Sequence, residues 1–406
     1  MINKTINNFK DNLQRAKIAA GILDKKVYTG PLTVQIDITN SCNSDCVGCW
    51  CHSPLLGEIA MTPETKKKFL PYKLVRKLID DLDDIGVRDI YFTGGGEPFM
   101  HPNAVEIMEY VKNKGMRCDM SNNFTLVTKS KAERLVKAGV DNMNCSVWAG
   151  SAEAYDRVHP NKTRKTFYKV EETFKHFYML KKKYRKTAPT LFIYNVISTL
   201  NYDDFENMVE FAFRCKVNGI DFTPTDIVPG KTDVLMLNKE QREWLADKVR
   251  DIWPKFHYWE KKYNHKIEFR NYDQFLRRLH GETEKGVYDQ SIIGTIPCYA
   301  GWTFLRILGD GNVNSCLKSI RIPIGNIYEK SIKEIWMNSN QCTFRKHTID
   351  YDVKDKYFNN IGNMWQREGN GCLLCCDNLG LNLATHGGIE KLGPIKRKLV
   401  KLAKML

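Results

Sequence analysis

The sequence predicts an α/β protein in two parts: a partial barrel of six β-strand–α-helix units, and after it a small cysteine-rich α+β domain. The first part is predicted because short apolar, β-rich runs alternate with longer amphipathic stretches over 31–235, a pattern typical of a parallel sheet. The second is predicted because six of the 13 cysteines fall within 291–386, where long helical patterns are few.

Six runs are the candidate strands of the barrel: 34–38, 89–93, 117–120, 142–147, 191–197 and 220–223. Since a complete barrel of this kind has eight units, six predict an open or partial one. Between the first two strands, apolar residues at helical spacing predict a helix over 71–85 that ends at Gly86. We expect residues 1–30 to form a basic helical segment and the charged, aromatic residues 236–290 to form a helical bridge to the second domain.

The composition indicates a globular protein of the cytoplasm. The chain has 406 residues, of which 42% are hydrophobic, and no run approaches the roughly 18 apolar residues of a membrane span. Its first residues are polar and basic and contain no apolar signal segment. The chain has 13 cysteines, several of them in C-x2-C spacing. They indicate metal binding and not disulfide bonds, because the cytoplasm is a reducing compartment.

The net charge of +15 does not predict a nucleic-acid partner, because the basic residues do not form one block with interleaved aromatic residues. The charge is most localised within 387–406, where apolar residues recur at helical spacing. The basic residues there are Lys396, Arg397, Lys398, Lys401 and Lys404. They predict an amphipathic C-terminal helix that either docks on the body of the protein or makes a peripheral contact with an anionic membrane.

Three cysteines follow the first predicted strand in C-x3-C-x2-C spacing: Cys42, Cys46 and Cys49. A [4Fe-4S] cluster has four irons, so three thiolates would leave one iron open for another ligand. A zinc site with Cys51 as its fourth ligand is the main alternative, and three inert buried cysteines are another. The loop lies at the carboxyl end of a strand, where α/β barrels assemble their active sites.

A glycine-rich turn, Thr-Gly-Gly-Gly-Glu-Pro over 93–98, follows the second predicted strand. Gly95 and Gly96 would let the backbone approach a ligand closely, with the carboxylate of Glu97 beside it. Taken alone, the motif also fits a tight turn that binds nothing.

Together, these two motifs resemble the radical S-adenosylmethionine (SAM) superfamily, whose members share a C-x3-C-x2-C loop and a Gly-Gly-Glu turn on a partial TIM barrel. The resemblance implies that the three loop cysteines hold a [4Fe-4S] cluster and that the amino and carboxylate groups of SAM occupy its open iron. It also implies SAM contacts at the strand ends by Gly95, Gly96, Glu97, Ser121, Asn122 and Ser146. Arg157 would either bind the SAM carboxylate or form a surface salt bridge.

Two positions depart from the usual pattern of the superfamily. The residue before the third loop cysteine is usually aromatic and is Gly48 here, with Trp50 directly after the cysteine, so we expect the adenine to pack differently. After the serine of the fourth strand, relatives with a second iron–sulfur module often have Leu-Asp-Gly, whereas this chain has Trp148. Its indole is either a stacking surface for a sugar ring or an apolar group, or a core residue.

The second domain has its own set of cysteines. Cys298 and Cys316 flank a predicted hairpin, and Cys372 and Cys375 form a C-x2-C pair. The region resembles the SPASM/twitch extension of radical SAM enzymes, which implies one auxiliary [4Fe-4S] cluster on these four thiolates. Zinc in the same four cysteines and a second cluster that uses Cys342 and Cys376 stay open. The remaining cysteines are expected to be packing residues or hydrogen-atom donors: Cys51, Cys118, Cys145 and Cys215.

By this resemblance, the protein cleaves SAM to a 5′-deoxyadenosyl radical and abstracts hydrogen from a C–H bond of its substrate. An auxiliary cluster that accepts an electron favours a dehydrogenase or epimerase acting on a small-molecule, sugar-like or lipid-linked substrate. The reductant would be a flavodoxin or ferredoxin, whose acidic surface a basic protein attracts.

Two other functions stay open. A radical SAM enzyme that modifies peptides usually has a leader-peptide-binding winged-helix segment, for which the 30 residues before the first strand are too few. A non-catalytic protein that binds zinc or nucleic acid is the third hypothesis.

Overall fold

The computed structural model describes residues 2–280, 286, 288–289, 291–352, 354–362, 372, 376, 378–394, 397, 400 and 402–403. Within these residues, six strands form the barrel: β1 (Thr33–Ile36), β2 (Asp89–Phe92), β3 (Arg117–Asn122), β4 (Asn142–Ser146), β5 (Thr190–Ile197) and β6 (Gly219–Pro224). They pair in sequence order and all run parallel. The predicted partial barrel is confirmed, and each of the six predicted runs is a strand.

Helices alternate with these strands and cover the outside of the sheet. They are α1 (Ile2–Asp24), α2 (Pro63–Lys66), α3 (Tyr72–Asp84), α4 (Ala104–Asn113), α5 (Lys129–Ala138), α6 (Ala152–Val158), α7 (Arg164–Lys183) and α8 (Phe205–Arg214). The predicted first connecting helix is α3, which starts after Pro71 and is followed by Gly86 in the left-handed region, at φ +87°. Its buried residues, which include Leu78 and Leu82, join the main core.

The two faces of the barrel strands differ because successive side chains point to opposite sides. Outward-facing residues such as Ile90 are fully buried in the apolar core. Polar side chains on the inner face bond one another, as in the contact between the Tyr91 and Ser121 hydroxyls. Arg270 forms an ion pair with Asp221 of β6. The interior of the barrel is therefore polar.

The second domain continues the sheet of the barrel. Its strands are β8 (Phe304–Ile307), β9 (Asn312–Asn314) and β10 (Gly325–Asn326), while β7 (Glu268–Phe269) extends the opposite edge beside β6. β8 pairs in parallel with β1, and β8, β9 and β10 then pair antiparallel. The predicted hairpin is present, and the sheet has the order β10-β9-β8-β1-β2-β3-β4-β5-β6-β7.

The remaining helices lie between and after these strands. They are α9 (Lys239–Arg250), α10 (Trp253–Tyr263), α11 (Tyr272–Leu279), α12 (Ala300–Thr303), α13 (Ile332–Met337), α14 (Ser339–Ile349) and α15 (Leu379–Glu390). Within the described ranges, none of the helices combines the length and apolar character that crossing a bilayer requires. Four lysines of the predicted C-terminal helix, Lys396, Lys398, Lys401 and Lys404, lie outside the described residues, so that helix stays a prediction.

Candidate functional site

Cys42, Cys46 and Cys49 lie on one loop that follows β1 at the carboxyl end of the barrel strands. The three thiols are close enough to affect one another electrostatically. Burial raises the pKa of Cys42 to about 12 and that of Cys46 well above the usual thiol value. A hydrogen bond with Cys51 lowers the pKa of Cys49 to about 6. Three half-buried thiols on one short loop are a donor set that fits an iron–sulfur cluster.

Backbone amides and neighbouring side chains hold this loop in place. The amide of Ser44 donates to Cys42 Sγ at 3.4 Å, and the amide of Cys51 donates to Cys49 Sγ at 3.4 Å. Such bonds to sulfur are one means by which proteins set the potential of a cluster. Asn123 Nδ2 donates to Asn43 Oδ1 at 2.8 Å and so joins the loop to the end of β3.

The glycine-rich turn after β2 packs directly on the cysteine loop. At Gly94, which has φ +123°, an added Cβ would lie 1.9 Å from the carboxylate carbon of Asp37. At Gly96 it would lie 2.1 Å from the carbonyl oxygen of Ser41. Only glycine leaves room for this contact, and the Glu97 amide secures it by donating to the same Ser41 oxygen at 2.8 Å. The structure thus brings together the two motifs that the sequence singles out.

Glu97 is buried and anchors the turn. Its Oε1 accepts a hydrogen bond from the Phe99 amide at 3.0 Å, and its Oε2 accepts one from the Asn123 amide at 2.7 Å. Burial raises the pKa of this carboxyl to about 7, against the opposing effect of the two amide bonds. His52 Nε2 donates to the Gly95 carbonyl at 2.7 Å and fixes the other side of the turn.

The other predicted SAM contacts lie at the ends of two strands and on the surface of a helix. Ser121 and Asn122 end β3, and the buried Nδ2 of Asn122 has no hydrogen-bond partner among the described residues. Ser146 ends β4. Arg157 lies on the surface of α6, where it donates to the Leu200 carbonyl at 2.7 Å and pairs with Asp203 at 3.0 Å. Its predicted contact with SAM stays a prediction.

Trp148 packs against the position where the loop has glycine instead of an aromatic residue. A Cβ added at Gly48 would lie 3.5 Å from the Trp148 ring. Trp148 has φ +58°, and its buried Nε1 has no hydrogen-bond partner among the described residues. The indole therefore covers the space that an aromatic side chain at position 48 would need.

The second set of cysteines also converges. Cys298, Cys316 and Cys372 pack together in one apolar cluster that contains Phe344 and Phe358. Burial raises the pKa of Cys298 and that of Cys372 to about 11. These thiols fit three corners of a thiolate-bound cluster.

The fourth predicted ligand, Cys375, lies outside the described residues. The two cysteines of the two-cluster alternative are described: Cys342 is exposed on α14, and the Cys376 amide donates to Asp289 at 3.2 Å.

Two ion pairs that the sequence does not reveal lie between the two cysteine sites. Asp37 pairs with Arg306 of β8 at 2.7 Å. Asp226, just after β6, pairs with Lys318 at 2.6 Å, and the Lys318 ammonium lies 5.3 Å from the centre of the Trp50 ring. These contacts join residues 92 or more positions apart. One local signal in the sequence could have identified Asp37: it is a polar residue at an inward-facing position of the alternating strand pattern.

Known proteins resemble this chain over most of its length. A protein named AdoMet-dependent heme synthase from Methanosarcina barkeri is 24% identical over 335 residues, which cover 80% of this chain and 87% of that protein. One of the same name from Nitratidesulfovibrio vulgaris is 35% identical over 123 residues, and the match spans 30% of each chain. The structure of SuiB from Streptococcus suis bound to S-adenosylmethionine shares the fold, with a TM-score of 0.58 at 17% identity over 82% of this chain and 71% of that chain.

Two family models match the chain directly. The radical SAM superfamily matches residues 36–212, which contain the cysteine loop and the glycine-rich turn. The SPASM iron–sulfur cluster-binding domain matches residues 298–360, which contain two cysteines of the second site. The chain therefore belongs to the radical SAM superfamily, and its cofactors are SAM, a SAM-binding [4Fe-4S] cluster and an auxiliary iron–sulfur cluster in a SPASM domain.

Proposed function

We propose that this protein is a radical SAM oxidoreductase that oxidises a hydroxylated, sugar-like small molecule, free or lipid-linked. Cys42, Cys46 and Cys49 hold the SAM-binding cluster, and Cys298, Cys316 and Cys372, with Cys375, hold the auxiliary cluster. When bound, the cofactors supply the redox chemistry: one electron from a reduced flavodoxin or ferredoxin cleaves SAM to methionine and 5′-deoxyadenosine as a hydrogen atom leaves a substrate C–H bond, and the auxiliary cluster takes the electron left when the hydroxyl proton departs.

The observation that carries this proposal is a group of three side chains between the two cysteine sites. Trp50 directly follows Cys49, Lys318 lies two residues after Cys316, and Asp226 follows the last barrel strand. The Lys318 and Asp226 side chains are 8% and 11% exposed and form an ion pair of 2.6 Å. A substrate held by this group would lie between the two clusters.

The chemistry of the three side chains favours a neutral substrate that carries hydroxyl groups. Separating a buried ion pair is costly because each charge loses its compensation. A hydroxylated ring can accept from the Lys318 ammonium and donate to the Asp226 carboxylate while the pair stays together. The face of the Trp50 indole offers a stacking surface for the C–H side of such a ring.

In this arrangement, Asp226 has a chemical role as well as a binding role. Its carboxylate is positioned to accept the proton of a hydroxyl group whose carbon is oxidised. Lys318 holds the carboxylate and the substrate oxygen in register. The polar inner face of the barrel adds further hydrogen-bonding groups, such as the Tyr91 and Ser121 hydroxyls, which bond each other.

Heme-type chemistry is the second candidate, because the M. barkeri relative that aligns over 80% of this chain is named a heme synthase. The polar inner face and the buried ion pairs offer a large apolar macrocycle few favourable contacts, so they support the first candidate. Modification of a peptide stays an alternative that the sequence leaves open.

The test is a substrate screen with anaerobically reconstituted full-length protein and dithionite as reductant. The probes are glucose, N-acetylglucosamine and myo-inositol, each free and lipid-linked, together with an iron-bearing tetrapyrrole. We expect a hydroxylated probe to raise 5′-deoxyadenosine formation above the substrate-free rate and to lose two hydrogen atoms, as measured by mass spectrometry. Stimulation by the tetrapyrrole alone would replace the first candidate with the second.

A further inference from the structure

A buried ion pair connects the SPASM domain to the glycine-rich turn, where the resemblance implies SAM contacts. Asp37 lies just after β1 and Arg306 lies on the neighbouring β8, with side chains 1% and 3% exposed. Arg306 Nη2 and Nε donate to Asp37 Oδ2 at 2.7 and 3.1 Å. A planar guanidinium that meets a carboxylate through two nitrogens fixes its orientation as well as its position.

Each partner of this pair also holds a backbone segment of one site. Asp37 Oδ2 accepts the amide of Gly95, in the glycine-rich turn, at 3.1 Å. Arg306 Nη1 donates to the carbonyl of Leu317, the residue directly after Cys316, at 3.1 Å. Hydrogen bonds therefore run without a break from the auxiliary-cluster loop through Arg306 and Asp37 to the turn.

The position of the Asp37 carboxylate depends on Arg306. Without the guanidinium, a fully buried carboxylate would lose its compensating charge, which is strongly unfavourable. It would have to turn toward other donors or take up a proton, and in either case its bond to the Gly95 amide would weaken. Because Gly94 packs against the same carboxylate, the turn would move with it.

We propose that Arg306 is a positioning residue that makes the SAM affinity of the 94–97 turn depend on the order of the auxiliary-cluster loop. The inference rests on the proposed function, with SAM bound at this turn as the resemblance implies. It predicts that damage to the auxiliary loop raises the dissociation constant of SAM.

The test compares Arg306→Met with Arg88→Met in reconstituted full-length protein. Arg88 is a matched control because it is also buried and bridges a carboxylate, Asp83 at 3.0 Å, and a backbone carbonyl, Gly115 at 2.6 Å. The first readout is hydrogen exchange of the 93–100 peptide without SAM, and the second is SAM binding by equilibrium dialysis. We expect Arg306→Met alone to speed exchange there and to weaken SAM binding by about tenfold, as loss of one well-formed hydrogen bond implies.

A double variant tests the coupling itself. Cys316→Ser is expected to weaken SAM binding in the wild-type background and to have little further effect beside Arg306→Met. If Arg306→Met does not fold, Arg306→Lys replaces it, since a lysine keeps the charge beside Asp37 but cannot also reach the Leu317 carbonyl as the guanidinium does. Exchange in the 93–100 peptide that matches the Arg88→Met control would overturn the coupling. Faster exchange with unchanged SAM affinity would instead overturn the assignment of SAM to this turn.

Discussion

At the scale of single residues, the candidate site combines two short motifs in contact with a buried ion pair between residues far apart in the chain. The three loop cysteines and Glu97 stand in short motifs, and the structure brings both motifs into contact. Asp37 and Arg306 are 269 positions apart, so no local spacing reveals their pair. The same holds for Trp148, whose position beside Gly48 depends on how two strand ends meet.

Lys318 offers a direct test of the proposed substrate site. Lys318→Met removes the ammonium and leaves a side chain of similar length, so the substrate loses a charged hydrogen bond. We expect substrate-stimulated 5′-deoxyadenosine formation to fall by about 10- to 100-fold, while substrate-free SAM cleavage persists. Lys77→Met is the control, because Lys77 forms a surface ion pair with Asp81 and its side chain is 66% exposed. Equal effects in the two variants would rule out a role for Lys318 in substrate binding.

The pKa of Asp119, on β3, predicts how the stability of the protein depends on pH. Burial raises the pKa of its carboxyl from 3.8 to about 7, although Arg117 opposes the shift. Between these values the folded protein binds more protons than the unfolded chain, so this group makes stability fall as the pH rises from about 4 to 7.

Asp119→Asn removes that dependence. Because the substitution removes a charge that is largely buried, we expect the free energy of unfolding at pH 8 to rise by about 1–3 kcal/mol. Urea unfolding at pH 5 and pH 8 measures the difference between variant and wild type. An unchanged pH slope in the variant would show that Asp119 is ionised in the folded protein throughout.

At the scale of elements, short apolar, β-rich runs predict the six barrel strands, and apolar residues at helical spacing predict the helix that becomes α3. β7 and β10 have two residues each, too few for any periodic signal. The parallel pairing of β8 with β1 is also hidden from the sequence, because a hairpin indicates its partner strand but not its other neighbour. That pairing makes the SPASM domain part of the sheet of the barrel.

Leu305 of β8 tests whether the two domains share stability. It is fully buried opposite Val34 of β1, so Leu305→Ala is expected to lower the free energy of unfolding by about 2–5 kcal/mol. β8 pairs with β1 of the barrel and with β9 of the SPASM domain. Tryptophan fluorescence and far-ultraviolet circular dichroism should therefore report one coincident urea transition. Leu383→Ala, at a position that is 42% exposed on α15, should change stability by less than about 0.5 kcal/mol. Two separated transitions in Leu305→Ala would contradict the shared sheet.

At the scale of the whole molecule, one sheet carries both cysteine sites. Two buried ion pairs, which together form a strip of charged residues, connect with the loop after β1 and the loop after β9: Asp37 with Arg306, and Asp226 with Lys318. The sequence predicts the two sites and their chemistry because cysteine spacing is local. It could not predict the strip between them, which forms only when β8 takes its place beside β1. In the proposed function, the first site forms the radical and the other takes up the second electron.

The most direct test of this division is 5′-deoxyadenosine formed under dithionite at saturating SAM, with iron content measured in the same samples. Wild-type protein should hold about eight irons per chain, as two four-iron clusters require. Cys46→Ala and Cys298→Ala should each hold about four. We expect Cys46→Ala to form no 5′-deoxyadenosine and Cys298→Ala to form it at nearly the wild-type rate without substrate. Loss of SAM cleavage in Cys298→Ala, or its survival in Cys46→Ala, would show that this division between the two sites is wrong.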